Sequence, residues 1–337
     1  MKKDIKDFII SGIRERAKEL NINEESFESE YYVITKANTY IKNKKINLTP
    51  VSFGYKGNNL IEGKLEKLSE VFPHVALENL EDKVLYVETL KDLSVIHYLK
   101  LSKPKAVITN TEIKRPIYIE EFPLFFVPSF INQDDISIQL KIKKIDKTFV
   151  NYFFDIGLGA YFTYINLPFD SFFTNAENIN FYSSFKTFLY LLEKLINIKH
   201  PKGYRIRVLI SDMLYKEYEG IYQHLKKIDT DRVLSVINIQ NCGLGNEKLI
   251  IKNRRNLIDS YHYKKLKKIF EKQEISFQEE KLKEYSNIDR IKLPVIWFSS
   301  QPNEFLYSLK KEFLNEKLIL NFTNRLYFVI NNLYKGY

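Results

Sequence analysis

A single cysteine, Cys242, stands in 337 residues. No internal disulfide framework can therefore hold this chain together, and nothing in its redox chemistry argues against a cytoplasmic home. Long apolar runs are also missing: no segment approaches the roughly 18 uninterrupted apolar residues that span a bilayer. The opening MKKDIKDFIISGIRERAKEL spreads Ile5, Phe8, Ile9, Ile13 and Leu20 at helical spacing among charges, the pattern of an amphipathic surface helix rather than a signal peptide. There is no zinc-finger spacing, no arginine-rich arm, no RNA-recognition signature, no internal repeat and no low-complexity tract. The five histidines, His74, His97, His200, His224 and His262, are scattered, and surface or partly buried structural roles are expected for them. Cys242 lacks an identifiable histidine beside it and reads as a small buried residue. Gly243-Leu244-Gly245 is a turn, too short for a phosphate loop.

What is present describes a globular protein. Hydrophobic residues make up 45% and charged residues 28%, with 23 Tyr and 25 Phe, far from the composition of a disordered chain. The length suggests two domains rather than one. The formal charge of +10 raises nucleic acid as a partner, since much of the excess lies between Lys199 and Lys272. A helix over residues 257–272 would turn Leu257, Ile258, Tyr261, Leu266, Ile269 and Phe270 inward, leaving Lys264, Lys265, Lys267 and Lys268 as a solvated outer face. That arrangement argues against nucleic-acid binding.

Along the chain, EYYVITKANTYI and KINLTPVSFGY read as strands broken by turns, followed by DKVLYVE, a short helix near residues 90–101, KAVITN, PIYI and PLFFVPSF. From Thr148 strands and helices alternate, the sign of a mostly parallel sheet covered by helices. YFTYINL, RIRVLIS, RVLSVINI and LPVIWFSS are its strands. SSFKTFLYLLEKLINI, a segment near 219–227 and a last one near 316–334 are its helices, the first capped by Ser183 or Ser184. Strand ends in such sheets are where ligands bind.

This order, with several short motifs, resembles the co-catalytic zinc aminopeptidase superfamily, which includes glutamate carboxypeptidase and the transferrin receptor ectodomain. The resemblance implies an α/β fold: a three-layer, mixed, mostly parallel sheet flanked by helices, with an inserted β-rich protease-associated-like domain. Residues 1–44 would join the peptidase-like domain, 45–145 would form the insert, and 146–337 the exopeptidase-like α/β domain. TFVNYFFDIG resembles the family's re-entry strand, with Asn151 before an apolar run. The implied metal positions have lost their donors. Where the family's His-x-Asp ends a strand, INLPFDS offers Pro168 and Asp170, and the bridging aspartate falls at Asn178. The Glu-Glu pair is replaced by Leu214 and Tyr215, with the following glycine kept as Gly220. Gln240 stands for a carboxylate ligand, and Tyr285 for the last histidine.

A zinc pair needs carboxylates and imidazoles to offset its charge. Pro168 has no donor, Leu214 cannot take a proton from water, Asn178 and Gln240 offer only neutral oxygens, and Tyr215 and Tyr285 would have to ionise. Some of the tyrosines, Tyr215 and Tyr285 among them, would fill the vacated hollow. Asp212 reads as a helix cap, and Glu217 and Glu219 point to different helix faces. Zinc is therefore the family's cofactor, but none is expected here. The resemblance implies a cytoplasmic pseudopeptidase with no catalytic residues, acting as a binding or assembly scaffold for a peptide or protein partner. A homodimer is compatible with it; a membrane is not. Two alternatives stay open: an active metallo-exopeptidase or amide hydrolase with other ligands, and a nucleic-acid-binding protein using the basic surface of residues 199–272.

Overall fold

The computed structural model describes residues 5–41, 44–70, 80–90, 93–113, 117–129, 135–171, 179–214, 216–240, 242, 249–253, 261–272, 277–281, 293, 295–299 and 315–335. Helix α1 (Ile5–Arg16) buries Ile9 and Ile13, as its spacing requires. Strand β1 (Asn23–Ile41) follows as one long element, where the sequence suggested strands broken by turns. Its register slips between Ile34 and Lys36, and this bulge lets a long ribbon bend without ending.

A first group of elements comprises β2 (Lys44–Asn47), β3 (Thr49–Pro50), β4 (Ser52–Phe53), β5 (Leu60–Glu70), β6 (Val84–Thr89), α2 (Leu93–Ser102), β7 (Ala106–Thr109), β8 (Ile117–Tyr118) and β9 (Leu124–Phe126). Strands β5, β6, β7 and β9 run parallel as neighbours. Val84, Tyr86 and Ile108 pack on one face of this sheet, and Leu85, Val87 and Val107 on the other. Both faces are covered, which is why these strands read as continuous apolar runs.

Strand β10 (Asp135–Ile156) is the spine of the molecule. It pairs with β1 over nearly its whole length. Its first residues pair with β5, and Tyr152–Ile156 pair with β12 (Gly203–Ser211). The expected domain boundary after residue 145 falls inside this strand.

Beyond it lie β11 (Gly159–Pro168), α3 (Ile179–Leu195), α4 (Glu219–Leu225), β13 (Val233–Ile239), β14 (Leu249–Asn253), α5 (Tyr261–Lys272), β15 (Phe277–Lys281), β16 (Val295–Ser299) and α6 (Glu316–Lys335). Strands β12, β11, β13 and β16 are parallel neighbours, so their C-terminal ends share one rim. Edge strands β14 and β15 lie beyond β16, and the sequence pattern did not reveal them.

Alternation sorts the side chains into two layers. Ile165, Leu167, Val208, Ile210, Ile237 and Ile239 face α1, α3, α5 and α6. Phe162, Tyr164, Leu209, Val236 and Trp297 face the side of α4. This is the expected three-layer, mixed α/β architecture. The capping expectation for α3 fails: the helix starts before Ser183 and Ser184, which lie buried inside it. The Ser183 hydroxyl donates to the Cys242 carbonyl, and Ser184 Oγ accepts from the Cys242 amide at 3.3 Å.

Leu266 and Phe270 of α5 are buried as foreseen. Leu257 and Ile258 lie outside the described residues. Lys264 and Lys268 are exposed, and Lys267 pairs with Glu279 at 2.7 Å, so part of the basic face is neutralised. No helix among the described residues is long and apolar enough to cross a membrane.

Phe185 is fully buried and contacts Phe8, Phe181 and Phe188. Phe185→Ala is expected to lower the unfolding free energy by about 3–5 kcal/mol, measured by chemical denaturation.

Candidate functional site

The parallel strands end together at Pro168, Ser211 and Ile239, and the next residues form the rim. Phe169 N donates to Ser211 O at 2.8 Å, and Leu214 N donates to Phe169 O at 2.9 Å. Asp212, 3% exposed, does not cap α4. Its Oδ1 accepts from the amides of Ser171 (2.8 Å) and Met213 (2.7 Å), tying the two strand ends to each other. The residue at the α4 N-cap is Tyr218, whose side chain makes no cap bond.

Asn151 supports the rim from below. Its Oδ1 accepts from Asp212 N at 3.0 Å, and its Nδ2 donates to Gly220 O at 2.8 Å. Gly220 N returns a bond to Asp212 O at 3.1 Å. A Cβ on Gly220 would stand 2.2 Å from Asp212 O and 2.7 Å from Asn151 Oδ1, so only glycine fits the closed loop. The two sequence landmarks Asn151 and Gly220 thus meet in one clamp.

Between Asp212 and Gly220 the chain turns sharply. Met213 (φ 62°), Glu217 (φ 53°) and Tyr218 (φ 60°) are left-handed, a conformation costing roughly 1–2 kcal/mol for each such residue. Four polar contacts hold the turn. Lys216 Nζ donates to Ser29 Oγ and Glu30 O, both at 2.7 Å. Lys100 of α2 pairs with Glu217 at 3.1 Å. Tyr218 Oη donates to Gln240 Oε1 at 2.6 Å.

Among the described residues two buried carboxylates stand at the rim, Asp170 and Asp212. Burial pushes the Asp212 carboxyl up, while its bonds from Ser171 and Met213 and the charge of Lys147 pull the other way. Tyr31 from β1 reaches the same place. Burial, and then the nearby charges of Asp170 and Asp212, push its hydroxyl well above the ordinary phenol range, so it stays protonated. Neither Tyr31 nor Lys147 was foreseen, because both lie on the antiparallel β1–β10 pair and meet the rim only through tertiary packing.

Pro168 is buried and Leu214 packs against the apolar layer beneath α4. Asn178, Tyr215 and Tyr285 lie outside the described residues. The tyrosine found at the Gln240 position is Tyr218, which is 5% exposed; its only sequence signal was its place two residues before Gly220. Among the described residues no three His, Cys, Asp or Glu side chains group as metal ligands. Donor chemistry at the described positions does not suit a zinc pair. Pro168 and Leu214 carry no donor, Gln240 is neutral and already accepts from Tyr218, and Asp212 Oδ1 is engaged by two amides.

One step deeper on the same face, Asn166 of β11 and Asn238 of β13 are register partners, both fully buried. Asn166 Nδ2 donates to Asn238 Oδ1 at 2.5 Å. Asn166 Oδ1 and Asn238 Nδ2 have no hydrogen-bond partner among the described residues. An orphaned buried polar atom costs about 1–3 kcal/mol.

Below α4 lies another polar group. His224, expected near the surface or partly buried, is 3% exposed. Its Nδ1 is 2.6 Å from Glu25 Oε2, and its Nε2 is 3.4 Å from Tyr164 Oη. Lys227 also pairs with Glu25, at 3.0 Å. These contacts fasten α4 to β1, 199 residues away for the His224–Glu25 pair.

No known family pattern matches the sequence, and none of the curated proteins does. Solved structures do match. The chain is similar to BSAP, a zinc aminopeptidase from Bacillus subtilis, with TM-score 0.65 and 11% identity, over 99% of this chain and 88% of that one. An aminopeptidase from Aneurinibacillus sp. strain AM-1 gives TM-score 0.63 and 12% identity over 98% and 88%. A peptidase M28 precursor from Shewanella amazonensis SB2B gives 0.59 and 9% over 97% and 87%. The chain has the fold of the zinc aminopeptidases, as the resemblance in its sequence implied.

Two expectations follow. Gly220→Ala should destabilise the protein by about 1–3 kcal/mol, read by denaturant unfolding, because backbone and a clamped carboxamide cannot move aside. Glu25 gives a pH signature. Burial alone would raise its carboxyl, but the bonds and charges of His224 and Lys227 outweigh this and hold it at about 2. The carboxylate therefore contributes stability in full above its unfolded value near 4.5, and that contribution is lost as pH falls from there toward 2. Its size is about 3 kcal/mol at most, and Glu25→Gln should flatten the stability profile across that window.

Proposed function

We propose that this chain is a cytoplasmic, aminopeptidase-like protein without peptidase activity, a scaffold that binds a peptide or protein partner at the strand-end rim. One observation carries this reading: the Tyr218 hydroxyl occupies Gln240 at 2.6 Å, at the position where the resemblance puts a carboxylate ligand. Pro168 and Leu214 beside it supply neither a metal donor nor a base. An apolar, hydrogen-bonded filling replaces charges that would need cations to be stable when buried. The lysines of α5 lie on a helix face, where Lys267 pairs with Glu279, which supports a solvated surface over a nucleic-acid site. A homodimer is compatible with this reading.

The two buried carboxylates, Asp170 and Asp212, favour the second reading, a hydrolase with a different ligand set. Purified protein exposed to zinc and then dialysed separates the two. Metal analysis should find well under one zinc ion per chain, and an aminoacyl-anilide should not be turned over. A retained zinc pair, or turnover abolished by a chelator, selects the hydrolase.

A further inference from the structure

The Asn166–Asn238 pair needs an explanation that packing does not provide. Its neighbours on the same face, Tyr164, Leu209 and Val236, belong to an apolar layer. Both carboxamides are fully buried, and after their mutual bond one amide oxygen and one amide nitrogen are left over. Exchanging O and N on both side chains leaves the same remainder, one donor and one acceptor. Apolar residues of similar size would remove this penalty, so a pair kept without partners is the kind of local cost that binding sites carry.

Its position indicates what it would serve. Gln240, the residue after β13, follows Asn238 by two and continues the same face, roughly 7 Å further along the chain. Tyr218, in a left-handed conformation, closes over Gln240 through its hydroxyl. Tyr218 packs in the same apolar layer as the neighbours of the asparagines, Tyr164, Leu209 and Val236, and rotation of its side chain would free the Gln240 carboxamide.

We infer that Asn166, Asn238 and Gln240 form a neutral subsite for a primary carboxamide, such as a glutamine side chain or an amidated peptide end, covered by Tyr218. A primary carboxamide presents a C=O and an N–H on one edge, and these match the unused Asn238 N–H and Asn166 C=O. A carboxylate of the same shape lacks the donor. It would set a charge against Asn166 Oδ1 in a buried place whose described neighbours Leu209 and Val236 are apolar, and it should be rejected.

The inference rests on the scaffold reading above, but the two can fail separately. Chelator-sensitive turnover would remove that reading whatever a titration shows, and a flat titration would remove only this one. The isosteric pair acetyl-glutamine methylamide and acetyl-glutamate methylamide should be titrated calorimetrically at neutral pH. The glutamine compound should bind at least about tenfold more tightly. Tyr218→Phe deletes the closing hydrogen bond and should tighten binding about fivefold. Asn166→Val with Asn238→Val should abolish the discrimination while raising the melting temperature by several degrees. Equal binding of the two compounds overturns the proposal. So does binding of neither compound by both the native chain and Tyr218→Phe, weaker binding by Tyr218→Phe, or discrimination that survives in the double variant.

Discussion

The carboxamide of Asn151 joins two places that would otherwise part. Its oxygen holds the amide of Asp212 at the end of β12, and its nitrogen holds the carbonyl of Gly220 at the start of α4. The sharp turn of the rim, with its three left-handed residues, lies between those two attachment points. The three left-handed residues persist because the surrounding bonds over-determine them. Asn151 itself sits on β10, the strand that reaches from the β5 sheet to the β12 sheet. The shape of the rim is thus referred to the longest strand among the described residues.

On this frame stand two buried carboxylates, Asp170 and Asp212, whose described neighbours include a protonated tyrosine, backbone amides and a lysine charge. At Asp212 two amide donors at 2.7–2.8 Å do locally for its oxygen what hydration would do outside. Tyr218 does the same for Gln240. A hydrogen-bonded aromatic filling is stable without an ion, whereas a cluster of acids in the same volume is not.

Much of the architecture was legible because periodicity survives without context. The strands of the parallel sheet are apolar on both faces and announced themselves as runs. Helices α1, α3 and α6 carried their stripes plainly. The edge strands β14 and β15 did not, since FQEEK has one polar face and no alternation strong enough to separate it from a loop. The start of α3 was misplaced because Ser183 and Ser184 look like caps in isolation. In fact they serve the backbone of Cys242 across the core, a partner no local rule could supply.

The sequence alone determined that an internal disulfide is excluded, that an aminopeptidase-like succession of strands and helices is present, and that Pro168, Leu214 and Gln240 cannot act as a zinc-binding set. Those conclusions depend only on residue type and order. Tertiary structure alone decided that Tyr218 meets Gln240, that Tyr31 and Lys147 come to face Asp170 and Asp212, that His224 is paired with Glu25, and that Asn166 and Asn238 leave two amide atoms over. Each of these depends on strand register and on side chains brought together from distant segments, and neither is encoded at any fixed spacing along the chain.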